Sequence, residues 1–363
     1  MKNIPKISIV MSVYNGERYV GEALDSICAQ TFRDWELIII NDCSTDGTAE
    51  ILKKYAAADN RIRIFENEVN LKLPSSLNKA VALSEGTYIA RMDADDIALP
   101  ERLEKQLDFM EKHLDVMISS CRYMSLKGTA VSSGGGGVRC DFEAIKALLL
   151  VTNPILHPGV IAKTAVMKKL LYDKALTCTE DLDVWVRAAK NGIKMQIQNE
   201  YLMLYRIHEK QITGTTLDRQ KKEVLSIQKR HNPVIFDNLS EEMLEFYISG
   251  IYFKENMDAE AFRTFRKKVR ELNKKAKICK KSAVDYAFFE ILAEYKRCGF
   301  SKCKVLKCLW QFNPIFLTKE YIRRKNAVRR DGKNCIAAAK KVGLMYKGNG
   351  CEFPAFSDFN GVI

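Results

Sequence analysis

Thr87-Tyr88-Ile89-Ala90-Arg91-Met92-Asp93-Ala94-Asp95-Asp96 is the stretch that decides the fold, a short apolar run followed at once by three carboxylates. An apolar run of this length, bounded by polar residues, is typical of a buried strand. In open α/β sheets, ligands bind in the crevice outside the carboxyl ends of the strands. Asp93 and Asp95 would both face that crevice, where a shared divalent cation relieves their mutual repulsion. Such oxygen ligands suit Mg²⁺ or Mn²⁺.

The Asp-x-Asp pair is weak evidence by itself. With 20 Asp among 363 residues, about one such pair is expected by chance. A second pair, Asp181-Leu182-Asp183, does occur. Either pair also fits a solvated turn or a helix cap. The surrounding sequence has to distinguish a metal site from these alternatives.

Strand and helix patterns alternate outward from this stretch. Strands are predicted over Ile7–Val13, Trp35–Ile40 and Ile62–Phe65, and an amphipathic helix is predicted after each of them. This alternation indicates βαβ units and therefore an α/β fold, a Rossmann-like mostly parallel sheet flanked by helices.

Three of the predicted strands end in polar residues: Tyr14-Asn15, Asp42, and Asp93 to Asp96. In a parallel sheet these ends meet at one edge, so the side chains are expected to line one crevice. The chain has no Gly-x-Gly-x-x-Gly or Gly-Lys-Ser/Thr loop, which argues against a dinucleotide or P-loop site. The run Gly134–Gly137 has no lysine to hold phosphate, so a flexible loop is predicted there.

Charge divides the chain into a neutral first part and a basic second part. Residues 1–220 contain 28 Lys and Arg against 29 Asp and Glu, whereas residues 221–363 contain 30 against 16. The second part also has a helical pattern, in which Phe262, Phe265, Val269 and Leu272 are predicted to be core residues. A basic region of this kind indicates an anionic partner such as a membrane surface, although a solvated helical surface explains it as well.

The cysteines and the apolar segments bound the compartment. The eleven Cys form no Cys-x-x-Cys pair and no zinc-like cluster, which favours a reduced, cytoplasmic chain. No signal segment and no 18-residue apolar run occur, so any membrane contact is expected to be peripheral, on the inner face of the cell membrane.

Five motifs, taken in order, resemble those of bacterial family 2 glycosyltransferases of GT-A fold. They are Ser8–Asn15, Ile39–Thr48, Leu77–Ala80, Tyr88–Asp96 and Glu180–Arg187. The resemblance covers roughly residues 5 to 215. It implies a catalytic domain over 1–215 and leaves 216–363 as a basic helical domain, whose last ~15 residues are expected to be poorly ordered.

The resemblance also implies roles for individual residues. Asp93 and Asp95 would hold a divalent metal (Mn²⁺ or Mg²⁺), with His208 as a third ligand. Asp181 would be the general base. The nucleotide-sugar would contact Tyr14, Asn15, Asp42, Asn78, Arg91, Asp93 and Ala94, and the acceptor side would include Glu180, His157 and Trp185.

The implied activity is inverting hexosyl transfer from a nucleoside-diphosphate sugar, with a UDP-sugar favoured, to a hydroxyl of a glycan or lipid-linked acceptor in cell-surface polysaccharide synthesis. The Gln-x-x-Arg-Trp motif and the membrane spans of processive synthases are absent from the sequence, which favours addition of one sugar. One departure from the family pattern is Lys72, at a loop position where related sequences usually have Gly.

Two alternatives remain at this point. A sugar-nucleotide pyrophosphorylase also places Asp at the edge of an α/β sheet, but a Gly-x-Gly-Thr-Arg-like loop after the first strand is missing. A catalytically weak scaffold would leave the function to the basic helices, as a membrane- or nucleic-acid-binding module. The retained carboxylates argue against the scaffold, and nucleic acid is not the expected partner.

Overall fold

The computed structural model describes residues 4–133, 141–209, 216–255 and 258–297, together with 305, 308, 309, 312, 316 and 317. The predicted loop at Gly134–Gly137, the predicted boundary at 215 and the last ~15 residues lie outside these ranges.

The described residues contain one mixed sheet of nine strands. Eight of them lie in the order β3-β2-β1-β4-β8-β6-β9-β5, and β7 pairs with β6. The strands are β1 (Ile7–Val13), β2 (Trp35–Asn41), β3 (Ile62–Glu66), β4 (Tyr88–Arg91), β5 (Ile97–Ala98), β6 (Ile118–Lys127), β7 (Ala130–Ser133), β8 (Ile161–Lys163) and β9 (Met195–Ile207).

The first four strands form the parallel half of the sheet. β1 pairs in parallel with β2 and with β4, and β2 pairs in parallel with β3. The alternation of strand and helix ends after these units, and β8 then joins β4 in the antiparallel direction. The α/β fold class is confirmed, and the parallel arrangement predicted from the βαβ pattern holds where that pattern occurs.

Helices cover both faces of the sheet. Those of the first region are α1 (Val20–Cys28), α2 (Thr48–Ala58), α3 (Lys72–Leu83), α4 (Arg102–Lys112), α5 (Phe142–Leu148), α6 (Thr164–Leu170) and α7 (Glu180–Lys190). The basic region adds α8 (Leu217–His231), α9 (Pro233–Phe236), α10 (Glu241–Phe246), α11 (Ala259–Ala276) and α12 (Lys281–Arg297), with a 3₁₀ turn at His157–Gly159 and a π-helical turn at Tyr247–Tyr252.

Two apolar cores lie on opposite faces of the sheet. Side chains alternate between faces along a strand, so Leu37 and Ile39 of β2 enter one core while Ile38 and Ile40 enter the other. The first core includes residues of α1, α2 and α4, and the second includes residues of α3, α5 and α7.

The basic region shares the second of these cores. Phe262, Phe265, Val269 and Leu272 are at most 3% exposed and belong to the same apolar cluster as Ile38 of β2. Their prediction as core residues is confirmed. The division of the chain at 215 stays a prediction. The described helices that follow this point share a core with the first region.

No helix among the described residues is long and apolar enough to cross a membrane.

Candidate functional site

The carboxyl ends of β1, β2 and β4 meet at one edge of the sheet. Asn15, just after β1, takes a left-handed φ of 50° and donates its backbone N–H to Ser44 Oγ at 3.0 Å. Its Oδ1 accepts a hydrogen bond from the backbone N–H of Thr45 at 2.8 Å. A Cβ built on Gly16 would lie 4.0 Å from the Cβ of Ala94. The loops that follow these three strands therefore lie against one another at that edge of the sheet.

Asp93, Asp95 and Asp96 form a cluster at the end of β4. One carboxylate oxygen from each lies within 4.8 Å of the others. Burial, followed by the charge of Asp93, raises the pKa of Asp95, and the same two causes raise that of Asp96 well above its usual range. Arg91 forms an ion pair with Asp93. A divalent cation would relieve the remaining repulsion, and an all-oxygen set suits Mg²⁺ or Mn²⁺.

His208 reaches the same cluster from the end of β9. Its Nε2 lies 2.9 Å from Asp95 Oδ2, and its ring lies 5.0 Å from that of Tyr19. Imidazole nitrogen is a common metal ligand as well as a partner for a carboxylate. The structure thus brings together Asp93, Asp95 and His208, which the sequence placed over 110 residues apart.

Arg206 forms hydrogen bonds to the loop that carries Asp95 and Asp96, a role that sequence reasoning missed. Its side-chain Nε donates to the Asp95 carbonyl at 2.7 Å, and its backbone N–H donates to Asp96 Oδ1 at 2.8 Å. A further ion pair joins its guanidinium to Glu22 at 2.7 Å. β9 therefore fixes the loop through both the backbone and the side chain of one residue.

Asp42, which follows β2, is only 2% exposed. Its Oδ1 accepts hydrogen bonds from Asn67 Nδ2 at 2.8 Å and from the backbone N–H of Leu71 at 2.9 Å. The next residue, Lys72, has a φ of 68°. The family's usual glycine at this position thus coincides with left-handed backbone, which lysine adopts at a cost. The loop keeps its shape on Asp42 in spite of the lysine.

We expect Lys72→Gly to raise the free energy of unfolding by about 0.5–1 kcal/mol, because glycine takes positive φ without the Cβ clash. Urea unfolding measures the change. Lys54→Gly, at an exposed position inside α2, is the control and should destabilise by about 1 kcal/mol. A loss of stability in Lys72→Gly would mean that the lysine side chain stabilises the loop.

Asn78 and His157 both bond to Tyr172. Asn78 uses its Nδ2 and its Oδ1 on the carbonyl and the N–H of Tyr172, each at 2.8 Å. His157 Nε2 lies 2.9 Å from Tyr172 Oη, and burial lowers the pKa of this histidine well below its usual range. The imidazole ring packs edge-on against Trp185, which is fully buried. Asn78, His157 and Trp185 thus belong to one connected set of contacts around Tyr172, whereas Tyr14 is 51% exposed.

Glu180 and Asp181 begin α7, where the positive end of the helix dipole favours carboxylates. Asp181 Oδ2 accepts from Asn153 Nδ2 and Oδ1 accepts from the Leu182 N–H, both at 2.7 Å. Burial raises the pKa of Asp181, and burial together with the charge of Asp181 raises that of Glu180 to about 8. With a pKa of about 8, Glu180 is therefore protonated near neutral pH.

We expect Glu180→Gln to change the pH dependence of stability. Folding raises the pKa of Glu180 from 4.5 to about 8, so the folded state holds a proton that the unfolded state loses. Stability from this group is present below about pH 4.5 and is lost as the pH rises toward 8. Glutamine lacks this loss, so the melting temperature of the variant relative to the wild type should increase from pH 5 to pH 8. Glu50→Gln, exposed on α2, controls for removal of one acid; a difference that stays constant with pH would contradict the assignment.

Helix α8 braces the segment that carries Asp181. Glu223 accepts hydrogen bonds from the backbone N–H groups of Thr177 and Cys178, both at 3.1 Å, and from Thr179 Oγ1 at 2.8 Å. His231, at the other end of α8, places Nε2 2.9 Å from Asp183 Oδ1. The two acids of the second Asp-x-Asp pair thus have different partners. Asp183 is buried and bonded to His231, whereas Asp181 accepts a hydrogen bond from Asn153.

The two halves of the site are electrostatically linked. The charges of Arg91 and Asp93 contribute to the pKa of Glu180, and Arg91 also contributes to that of Asp181. The acid pair of α7 therefore lies within electrostatic range of Arg91, which pairs with Asp93 at the end of β4.

Comparison with known sequences points to one family. Residues 8–160 match the family model described as glycosyl transferase family 2. An uncharacterized glycosyltransferase of Methanocaldococcus jannaschii is 37% identical over 60% of this chain and 76% of its own length. The O-antigen biosynthesis glycosyltransferase WbnJ of Escherichia coli is 33% identical over 60% of this chain and 85% of its own length.

Solved structures give the same fold. S. aureus TarS 1–349, crystallised with UDP, superposes with a TM-score of 0.54 at 18% identity, over 82% of this chain and 93% of that one. The mannosyltransferase PcManGT of Pyrobaculum calidifontis, solved with GDP-Man and Mn²⁺, gives 0.50 at 15% identity, over 95% and 88%. The architecture is therefore that of GT-A glycosyltransferases.

Proposed function

The chain belongs to glycosyl transferase family 2, and we propose that it is an inverting, metal-assisted transferase that adds a single sugar from a nucleoside-diphosphate sugar to an acceptor hydroxyl. The proposal is supported by the contact of His208 with the Asp93–Asp95 cluster and by Asp181, whose pKa is affected by the charge of Arg91, the ion-pair partner of Asp93. Membership in this family favours transfer over the pyrophosphorylase alternative.

The donor side of the proposal rests on the ends of β1, β2 and β4. Tyr14 and Asn15 border the nucleotide, and Asp42 contacts the base or ribose from the loop that Leu71 closes. A metal held by Asp93 and Asp95, with His208 as third ligand, would neutralise charge on the departing diphosphate. Arg91 and Ala94 complete this side, and Asn78 acts by fixing the backbone of Tyr172.

Asp181 is the proposed base. It takes the proton of the acceptor hydroxyl as the oxygen forms a bond to the anomeric carbon. The bond from that carbon to the phosphate oxygen breaks on the opposite face, so the configuration of the sugar inverts. Burial raises the pKa of Asp181, which strengthens it as a base. Asn153 and the Leu182 N–H fix its orientation.

In this proposal Glu180 and His157 lie on the acceptor side, and Trp185, which is fully buried, packs against the His157 ring. Glu180 Oε1 lies 4.0 Å from His157 Nδ1, so the two buried groups lie beside each other next to the base. Both are uncharged near neutral pH, since burial raises the pKa of the acid and lowers that of the imidazole. Uncharged groups beside the proposed base suit a hydroxyl-bearing acceptor.

We extend the proposal to polysaccharide synthesis at the cytoplasmic face of a membrane, on a glycan or lipid-linked acceptor. The name of WbnJ refers to O-antigen biosynthesis, and the excess positive charge of 221–363 suits an anionic membrane surface.

A thermal-shift and hydrolysis screen of nucleotide-sugars tests the proposal. UDP-sugars and GDP-sugars should be compared with and without Mn²⁺, because TarS was solved with UDP and PcManGT with GDP-Man and Mn²⁺. We expect a UDP-sugar to raise the melting temperature in the presence of the metal. The absence of stabilisation and of hydrolysis by every donor would contradict the proposal and favour a scaffold.

A further inference from the structure

A second feature of the molecule lies away from the crevice, in a cavity of about 970 Å³ between α5, α11 and α12. Nine of its fifteen lining residues are Lys or Arg, and two are Glu. We call it the basic pocket. None of the candidate active-site residues lines it.

Only part of this positive charge is compensated inside the structure. Arg266 and Arg270 pair with Asp285 at 2.7 and 3.2 Å, and Lys146 pairs with Glu143 at 2.8 Å. The other six cations form no ion pair with any carboxylate that the structure describes: Arg263, Lys267, Lys274, Lys277, Lys280 and Lys281. These six side chains are exposed around one concave surface, where their like charges add to a positive potential. An anion in the cavity would relieve their repulsion.

The turn between α11 and α12 is fixed in a way that presents these cations. Asn273 Nδ2 donates to the Cys279 carbonyl at 2.9 Å, and Asn273 Oδ1 accepts from the Cys279 N–H at 3.0 Å. Lys277 follows α11 with a left-handed φ of 53°, at the position where helices most often have glycine. Lysine thus occupies a position whose backbone conformation favours glycine, and its ammonium group adds to the charge of the basic pocket.

The start of α12 adds to the positive potential. Lys280 and Lys281 precede and open this 17-residue helix, whose first turn contains no acid. The amino end of a helix carries a partial positive charge and favours anions. Two lysines there are unfavourable unless an anion lies nearby. Ile278 and Val284 also line the cavity and give it an apolar part.

We infer that the basic pocket binds a phosphate group, either the headgroup of an anionic phospholipid or a free phosphate compound. Lysines and arginines supply the charge, and Ile278 and Val284 suit the apolar part of a phosphate ester. The inference goes beyond sugar transfer and does not depend on it. It narrows the proposed membrane contact to one site.

Sedimentation of the full chain with vesicles tests the inference. We expect the wild type to sediment with phosphatidylglycerol vesicles and not with phosphatidylcholine vesicles. Lys267→Glu/Lys274→Glu, two exposed changes on α11, should weaken that binding by on the order of tenfold or more. Lys222→Glu/Lys229→Glu is the matched control, because it makes the same charge change at the same spacing on α8 and outside the pocket.

Calorimetry with inorganic pyrophosphate distinguishes the two sources of phosphate. Stoichiometric binding of pyrophosphate that is abolished in the Lys267→Glu/Lys274→Glu variant (the pocket pair) supports a free phosphate ligand. Vesicle binding with which pyrophosphate does not compete supports the lipid. Equal weakening of vesicle binding by the pocket pair and the control pair would overturn the pocket while leaving the general membrane contact intact. Binding of neither probe by the wild type overturns the inference as well.

Lys277→Gly separates binding from folding. Glycine suits the left-handed φ of this position, so the melting temperature should stay the same or rise. Binding of vesicles or pyrophosphate should nevertheless fall. If neither Lys277→Gly nor the Lys267→Glu/Lys274→Glu variant binds vesicles or pyrophosphate less than the wild type does, the inference is overturned.

Discussion

Asp181→Asn is expected to lower kcat by about 10²–10⁴-fold while donor binding stays the same. An amide cannot take the proton of the acceptor hydroxyl. Its one oxygen can keep the hydrogen bond from the Leu182 N–H, while its NH2 group replaces the oxygen that accepts from Asn153 Nδ2. Because only one hydrogen bond is lost, we expect the fold to survive. Single-turnover transfer measures the loss of rate, and calorimetry with the nucleotide-sugar measures donor affinity.

Glu180→Gln is the matched control for this variant. Glu180 is protonated near neutral pH because its pKa is raised to about 8, so glutamine resembles the form already present. We expect this variant to keep most of the transfer rate at pH 7. Retained turnover in Asp181→Asn, or an equal loss in Glu180→Gln, would place the base elsewhere.

Asp95→Asn is expected to abolish the metal dependence of nucleotide-sugar binding. The change removes one anionic oxygen from the cluster and the partner of His208, whose Nε2 lies 2.9 Å away. Loss of the metal should lower transfer by about 10²–10³-fold, equivalent to roughly 3–4 kcal/mol of transition-state stabilisation. Calorimetric titration with and without Mn²⁺ measures the dependence.

Two further variants make the metal experiment specific. Asp96→Asn should keep the metal dependence, because the Oδ1 of this buried residue bonds the Arg206 N–H and an amide oxygen can replace it. Asp108→Asn, exposed on α4, controls for the loss of one negative charge. An Asp95→Asn protein whose donor affinity still rises with Mn²⁺ would contradict the metal assignment.

The local pattern of the sequence predicts the parallel half of the sheet well. β1 spans Ile7–Val13 as predicted, and β2 and β3 each extend one residue further than predicted. Both faces of β1 and β2 are buried, so nearly continuous apolar runs mark these two strands, whereas β3 is mostly half-buried. The other half of the sheet is mixed, since β8 pairs antiparallel with β4 and β6 while β6 pairs in parallel with β9. These pairings join distant parts of the chain and leave no periodic signal.

The residues of the candidate site likewise fall into those that the local sequence pattern predicts and those that it does not. Strand ends reveal Asn15, Asp42, Asp93 and Asp95, because a parallel sheet brings such ends together. Partners that act across long sequence separations were missed. Arg206 bonds a loop 111 residues away, Glu223 bonds one 46 residues away, and Asn153 orients an acid 28 residues away. A single sequence contains no pattern that pairs such residues.

Lys72 shows what a departure from a family pattern means physically. The missing glycine raised a question about the shape of the loop, and the φ of 68° answers it, since the backbone keeps the glycine-like conformation. The cost is carried by one residue, while the Leu71 N–H still reaches Asp42.

The bonds from α8 to the Asp181 segment have a practical consequence for anyone who shortens or recombines this protein. A fragment cut at 215, where the family resemblance ends, would lack Glu223 and His231 and would leave Thr177–Thr179 and Asp183 without these bonds. The smallest useful fragment must therefore extend beyond His231. The crossover point for chimeras with relatives must also come after this residue. Exchanging the basic region without α8 would alter turnover even where the new region binds its own target correctly.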